Sequence, residues 1–165
     1  MRHNAVAVTL TKYARLAGCD VKHEPAHLSD VDNKRPDVML CILPQPTLLD
    51  VVISHPSAPS HQASAKRSAL RVAEEATKRK HKKYAGLVQL QDAIFYAFAR
   101  ETYGGLSLEA RQVAMQIAQL AQDNGTLQSY SAFIKDMLDE IAVHIQRGNA
   151  TMMHAGEAAR YFGDV

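Results

Sequence analysis

Two short apolar runs, residues 38–43 and 47–54, lie on either side of Pro44-Gln45-Pro46. Proline has no backbone N–H and cannot sit inside a ladder, so this tripeptide ends one strand and precedes another. The runs predict an antiparallel hairpin. Each carries an acid, Asp37 just before the first run and Asp50 inside the second. Side chains alternate along a strand. The two acids therefore share a face only if paired residue numbers sum to an odd value, as when Leu43 lies opposite Pro46 or Leu48.

The remaining elements follow from periodicity and punctuation. Residues 4–16 read as a helix, with Gly18 where a left-handed cap is expected. Residues 19–25 read as an edge strand, and residues 28–34, rich in Ser, Asp and Asn, as a loop. After a Pro- and Ser-containing loop at 55–60, one long helix is expected over residues 62–84. Ile94-Phe95-Tyr96-Ala97-Phe98 has strand composition, and Gly104-Gly105 ends it. Ser107 is placed to cap a helix running to residue 122, and a last helix is expected over residues 127–146 with a weakly specified tail. The expected class is α/β (α+β): a small mixed sheet in the order helix, strand, strand, strand, helix, strand, plus two C-terminal helices.

At 165 residues the chain suits a single domain with a real core. A hydrophobic share of 47% and a charged share of 22% argue against wholesale disorder. No apolar run approaches the roughly 20 residues a bilayer requires, and Lys12 and Arg15 interrupt any signal-peptide pattern. Cys19 and Cys41 read as reduced thiols of an intracellular protein. The net charge of +2 says little, but its distribution says more. Lys66, Arg67, Arg71, Lys78, Arg79, Lys80, Lys82 and Lys83 face only Glu74 and Glu75 over that stretch. Such a patch attracts phosphate even on a nearly neutral molecule. Its last turn also resembles a nuclear localisation cluster.

Two carboxylates at the end of a small sheet, followed by a lysine-rich helix, are the parts that metal-dependent phosphodiester cleavage requires. The carboxylates hold a hard cation, and a lysine offsets charge on the phosphate or the attacking water. In the simplest such site the lysine lies two residues after the second acid, but that position is Val52. The long helix offers a substitute. At about 100° per residue, Ala65, Ala69, Val72 and Ala76 form one stripe whose continuation lands on Lys83, with Arg79 and Lys80 slightly aside. The competing account is a helix that leaves the core in its last turn, where lysine also suits the dipole.

Further residues join this pattern in order: Arg2-His3-Asn4, Ala17-Gly18, Glu24-Pro25, Arg35-Pro36-Asp37, Asp50-Val51-Val52, Lys80 with Lys83-Tyr84, and Phe98-Ala99-Arg100-Glu101-Thr102. Together they resemble the restriction-like endonuclease domain at the C-terminal end of early-branching, site-specific non-LTR retrotransposon polyproteins, within the PD-(D/E)XK superfamily. The likeness spans roughly residues 2 to 125. It implies a restriction-endonuclease-like core over residues 1–125, with residues 126–165 as a helical extension and tail. It also implies cleavage of double-stranded DNA with Mg²⁺, or Mn²⁺ as substitute. Asp37 and Asp50 would be metal ligands, Lys83 or Lys80 the displaced lysine, and Glu24 an accessory acid. Glu101 would be another acid or structural.

In an active domain a backbone carbonyl near Val51 would join the metal ligands, and Arg67, Arg71 and Arg79 would contact DNA phosphates. The original context would be a fusion to a reverse transcriptase, and the expected location is the nucleus, or the cytoplasm without import. This sequence, however, has no Tyr-x-Asp-Asp motif and too few cysteines for a zinc knuckle. Two alternatives remain. One is a catalytically inactive DNA-binding remnant. The other is a helical interaction protein, possible as a homodimer, using the face formed by Ala114, Ile117, Leu120 and Ala121.

Overall fold

A computed structural model describes residues 2–29, 33–126 and 129–162, with side chains through residue 155. In the first helix, α1 (Arg2–Leu16), the buried Val6, Leu10, Tyr13 and Ala14 recur at helical spacing. Gly18 ends it at φ +79°, with its amide on Arg15 O and the Cys19 amide on Ala14 O. That is a Schellman closure, which needs the left-handed conformation glycine adopts without penalty.

Four strands follow: β1 (Val21–His23), β2 (Val38–Leu40), β3 (Thr47–Ser54) and β4 (Ile94–Glu101). They form one mixed sheet in the order β1-β2-β3-β4, antiparallel except for the parallel β3–β4 pair. The hairpin register pairs Val38 with Leu49 and Leu40 with Thr47. These sums are odd, as a shared acid face requires, although neither example pairing for Leu43 occurs. β2 is also shorter than expected. The ladder ends at the Leu40–Thr47 pair, and the next amide, that of Cys41, donates to Asp20 O at 2.9 Å on the β1 side. Leu43 is left exposed in the connection.

Alternation along β3 and β4 assigns the two faces. Leu49, Val51 and Phe98 enter the main core with α1, with α4 (Leu108–Asp123) and with α5 (Tyr130–Phe162). Leu48 and Ala97 point the other way, toward Tyr84 and Leu87 of α3 (Arg71–Leu90), and Ala99 meets Ala73 and Ala76 of the same helix. The Ser107 hydroxyl accepts the Ala110 amide at 3.1 Å and caps α4 as expected.

Two helices differ from expectation. The single helix over 62–84 is instead a short α2 (Gln62–Ala65) and the separate α3. Leu70 breaks it at φ +64°, a conformation that costs an ordinary residue about 1–2 kcal/mol. Tertiary contacts hold it there. Leu70 packs so closely on Gly105 that a Cβ on that glycine would lie 2.3 Å from its Cδ2. The Glu101 carboxylate accepts the Ala73 amide in the first turn of α3. Glu101 is thus structural in position.

The last helix runs on to Phe162 rather than ending near 146; residues 127–128, where it was expected to begin, lie outside the described residues. Gly148 lies within it, and the Arg2 side chain occupies the space a Cβ there would need. Met137, Ile141 and Ile145 of α5 are buried in the main core. The α4 face suggested for association is used internally: Ala114, Ile117 and Ala121 are buried, and Leu120 packs against them. Among the described residues, no helix is long and apolar enough to cross a membrane.

Candidate active site

The site forms where β2 runs out. β2 covers Thr47 to Leu49 of β3, whereas β4 accompanies β3 through Ser54. From Asp50 onward one edge of β3 therefore lacks a strand partner, and its amides and carbonyls need others. Asp37 supplies one. Its own amide still donates to Leu49 O at 3.0 Å, while its Oδ2 accepts the Val51 amide at 2.6 Å. The carboxylate stands in for the carbonyl that a longer β2 would have provided.

Asp50 comes from the α3 face of β3, one step beyond the last paired residues, and is 2% exposed. A buried carboxylate needs charge compensation. Lys80 of α3 forms an ion pair with Oδ2. That contact lies outside hydrogen-bond alignment, since the buried Oδ2 has no hydrogen-bond partner among the described residues. The Tyr84 hydroxyl reaches Asp50 Oδ1 and, at 2.8 Å, the Arg35 carbonyl. Burial, and then the hydrogen bond to Asp50, hold the Tyr84 phenol well above its ordinary pKa. It therefore remains a neutral donor. Its ring stacks on Phe95 with centroids 5.0 Å apart, which fixes the hydroxyl against the acid.

The first turn of α1 closes another side. His3 Nε2 lies 3.1 Å from Asp37 Oδ2. That hydrogen bond raises the imidazole pKa, outweighing the opposite effect of burial. Arg2 hydrogen-bonds Asn149 Oδ1 of α5. Between these elements opens a cleft of about 500 Å³, lined by Arg2, His3, Val51, Val52, Ile53, Lys80, Gly148 and Met152.

Of the two lysines expected at the site, Lys80 is the one that reaches Asp50 directly. Lys83 is exposed; its ammonium lies over the Tyr84 ring, 2.9 Å from the hydroxyl, and so touches Asp50 only through that tyrosine. The reason is phase. Ala65 and Ala69, which oriented the expected stripe, do not belong to α3. The buried stripe that does exist, Ala73, Ala76, Thr77, Tyr84 and Leu87, has Lys80 at its centre.

Glu24 lies just past β1. Its amide donates to Asp37 O at 2.7 Å, but its carboxylate pairs with Arg35 at 3.0 Å rather than facing the cleft. Arg67 lies between α2 and α3, Arg71 is paired with Glu75, and Arg79 is exposed; none lines the cleft. In the sequence, His3 and Tyr84 stand out only by their place in the motif order. The helical phase counted from residue 71 would have revealed Tyr84, whereas His3 has no local signal.

No protein-family model matches this chain, and no curated protein matches it significantly. Site chemistry has to be judged from the donors. Extended backbone sends the N–H and C=O of one residue to the same side, so the Val51 carbonyl shares the open edge with its amide. Two carboxylates and a carbonyl are hard oxygen donors. Among the described residues, no three His, Cys, Asp or Glu side chains gather closely enough to hold a metal by themselves. That excludes a closed side-chain cage there. The two carboxylates and the carbonyl would suit only an ion that keeps several waters and takes one or two carboxylates plus substrate phosphate, as Mg²⁺ does. Asp50 Oδ2 is ion-paired with Lys80, so a metal there would have to share or displace that ammonium.

Proposed function

We propose that this chain is a metal-dependent DNA endonuclease domain with a restriction-endonuclease-like core, related to those of non-LTR retrotransposons. The reading rests on one observation above the others: Asp37 binds the Val51 amide and Asp50 pairs with Lys80 at the open end of β3, and Val51 and Lys80, though neither acid, line an accessible cleft. The motif order in the sequence supports the same conclusion. An interaction protein has no need to place a buried acid against a half-buried lysine beside a cleft.

Asp37, Asp50 and the Val51 carbonyl would hold Mg²⁺ or Mn²⁺. Such an ion, when bound, would lower the pKa of a coordinated water and polarise the phosphoryl oxygen. Lys80 neutralises Asp50 before substrate arrives and stabilises negative charge developing on the phosphate. Tyr84 holds Asp50 in one orientation, and His3 does the same for Asp37. Arg2, at the cleft wall, would contact the phosphate in place of the helix arginines, which do not line the cleft.

A second reading has an observation in its favour. Lys80 and Tyr84 already engage both oxygens of Asp50, an arrangement that also suits an inactive module binding DNA in a salt-dependent manner. Nicking of supercoiled plasmid with Mg²⁺ or Mn²⁺, wild type against Asp50→Ala, separates the two. Metal-dependent nicking that the substitution abolishes supports the endonuclease. Retained duplex binding without nicking by the folded wild type supports the inactive module.

A further inference from the structure

We propose that a second cavity, which shares two wall residues with the cleft, is a nucleobase subsite that takes one unstacked base of the DNA strand whose phosphate occupies the cleft. The inference rests on reading the cleft as a nucleic-acid site. The cavity measures about 260 Å³ and shares Arg2 and Met152 with the cleft. A strand leading from one to the other must pass the Arg2 guanidinium, which then meets the linking phosphate.

The walls have the chemistry of a base site. His55 and Tyr103 meet edge to face, with ring centroids 5.4 Å apart, and both line the cavity. Each ring is held from behind: His55 Nδ1 lies 3.1 Å from Thr102 Oγ1, and the Tyr103 hydroxyl 3.2 Å from Ser57 Oγ. Tyr103 is nonetheless 68% exposed, and Met153 on the facing wall 67%. Apolar groups held open to water around a hollow mark a binding surface rather than a core. Stacking on fixed rings suits any base, because every base has a π-face. The Met152 and Met153 thioethers can adapt to purine or pyrimidine.

Asn149 lines the second cavity. Its Nδ2 donates to Thr102 O at 3.3 Å and its Oδ1 accepts from Arg2. It thereby fixes the guanidinium between the phosphate and base positions. A hollow of this size takes one base and not a base pair, so the strand must be unstacked locally.

Fluorescence anisotropy tests the subsite in the full chain without divalent metal, using labelled oligodeoxythymidylate and an abasic strand of equal length. The wild type is expected to bind the base-bearing strand about tenfold more tightly. Tyr103→Ala should erase that preference, Tyr103→Phe should keep it, and Met153→Ala should weaken it without altering the thermal midpoint. Equal wild-type affinity for the two strands overturns the subsite, as does a Tyr103→Ala loss that is the same for both. Plasmid nicking with Asp50→Ala reports separately on the nuclease reading. A base preference without nicking keeps the subsite and removes the enzyme; nicking without a base preference does the reverse.

Discussion

On the face of the sheet covered by α1, α4 and α5, Leu49, Val51 and Phe98 meet Val6, Leu10, Ile117, Ile141 and Ile145 in one continuous apolar cluster. On the face covered by α3, the apolar contacts fall into two smaller clusters, and Asp50, Lys80 and the Tyr84 hydroxyl sit among them. The first face has the packing that stabilises a domain. The second accepts a buried acid because a lysine and a phenol compensate it. Catalytic groups need desolvation and fixed orientation, both of which a helix-covered sheet supplies. They also tax stability, so a strong core on the opposite face makes such a site tolerable.

The sharpest break in this comparison is Asp50→Ala, which should lower metal-dependent nicking by more than the roughly 10–100-fold that loss of an outer-shell partner costs. Gel quantification of nicked plasmid checks it. Leu10→Ala, on the other face, should do the converse. It should cost about 2–5 kcal/mol in urea unfolding while nicking per folded molecule stays unchanged well below the midpoint.

Lys80→Met tests whether the α3 face depends on its compensating charge. Removing one partner of a closed buried pair costs about 3–5 kcal/mol. Lys80 is 23% exposed at its side chain, so a loss of about 2–3 kcal/mol is expected here after that discount. Adding Mg²⁺ should raise the thermal midpoint of Lys80→Met more than that of the wild type, because the ion then neutralises an otherwise unpaired Asp50. An equal rise in both proteins would remove Asp50 from the metal site. Tyr84→Phe should cost about 1–2 kcal/mol through the lost hydrogen bond to a charged acceptor, again read by urea unfolding.

The smallest effect belongs to the α1–α5 seam, where Glu140 accepts from Lys12 at 2.6 Å and from Tyr13 at 3.3 Å. The Lys12 hydrogen bond lowers the Glu140 pKa below its ordinary 4.5. A lowered carboxylate contributes stability above its unfolded pKa and loses it as pH falls through the folded value. Glu140→Gln should therefore cost about 0.5–1 kcal/mol near neutrality. The difference from wild type should vanish as pH drops below the carboxylate range, as measured by thermal midpoints across pH.

Much of this arrangement is legible without coordinates. Pro44 and Pro46 mark the hairpin, Gly18 and Ser107 mark helix ends, and the odd-sum condition states in advance what the two acids need. The misreadings share a cause: each depends on contacts from distant parts of the chain. Leu70 adopts its left-handed backbone against Gly105, and Gly148 lies within α5 with Arg2 in the space a Cβ there would need. Once Leu70 separates Ala65 and Ala69 from α3, the buried stripe turns, and Lys80 replaces Lys83 beside the acid.

What the sequence alone determined is therefore the local part: the strands, the helix caps, the parity of the two aspartates and the presence of a basic helix beside them. These follow from backbone sterics, missing donors and side-chain period, which act within a few residues. The tertiary structure decided which lysine meets Asp50, that His3 and Asp37 face each other, and that α5 walls the cleft. Those outcomes depend on where a helix breaks and how closely two backbones approach, and both are settled by packing between residues far apart in the chain.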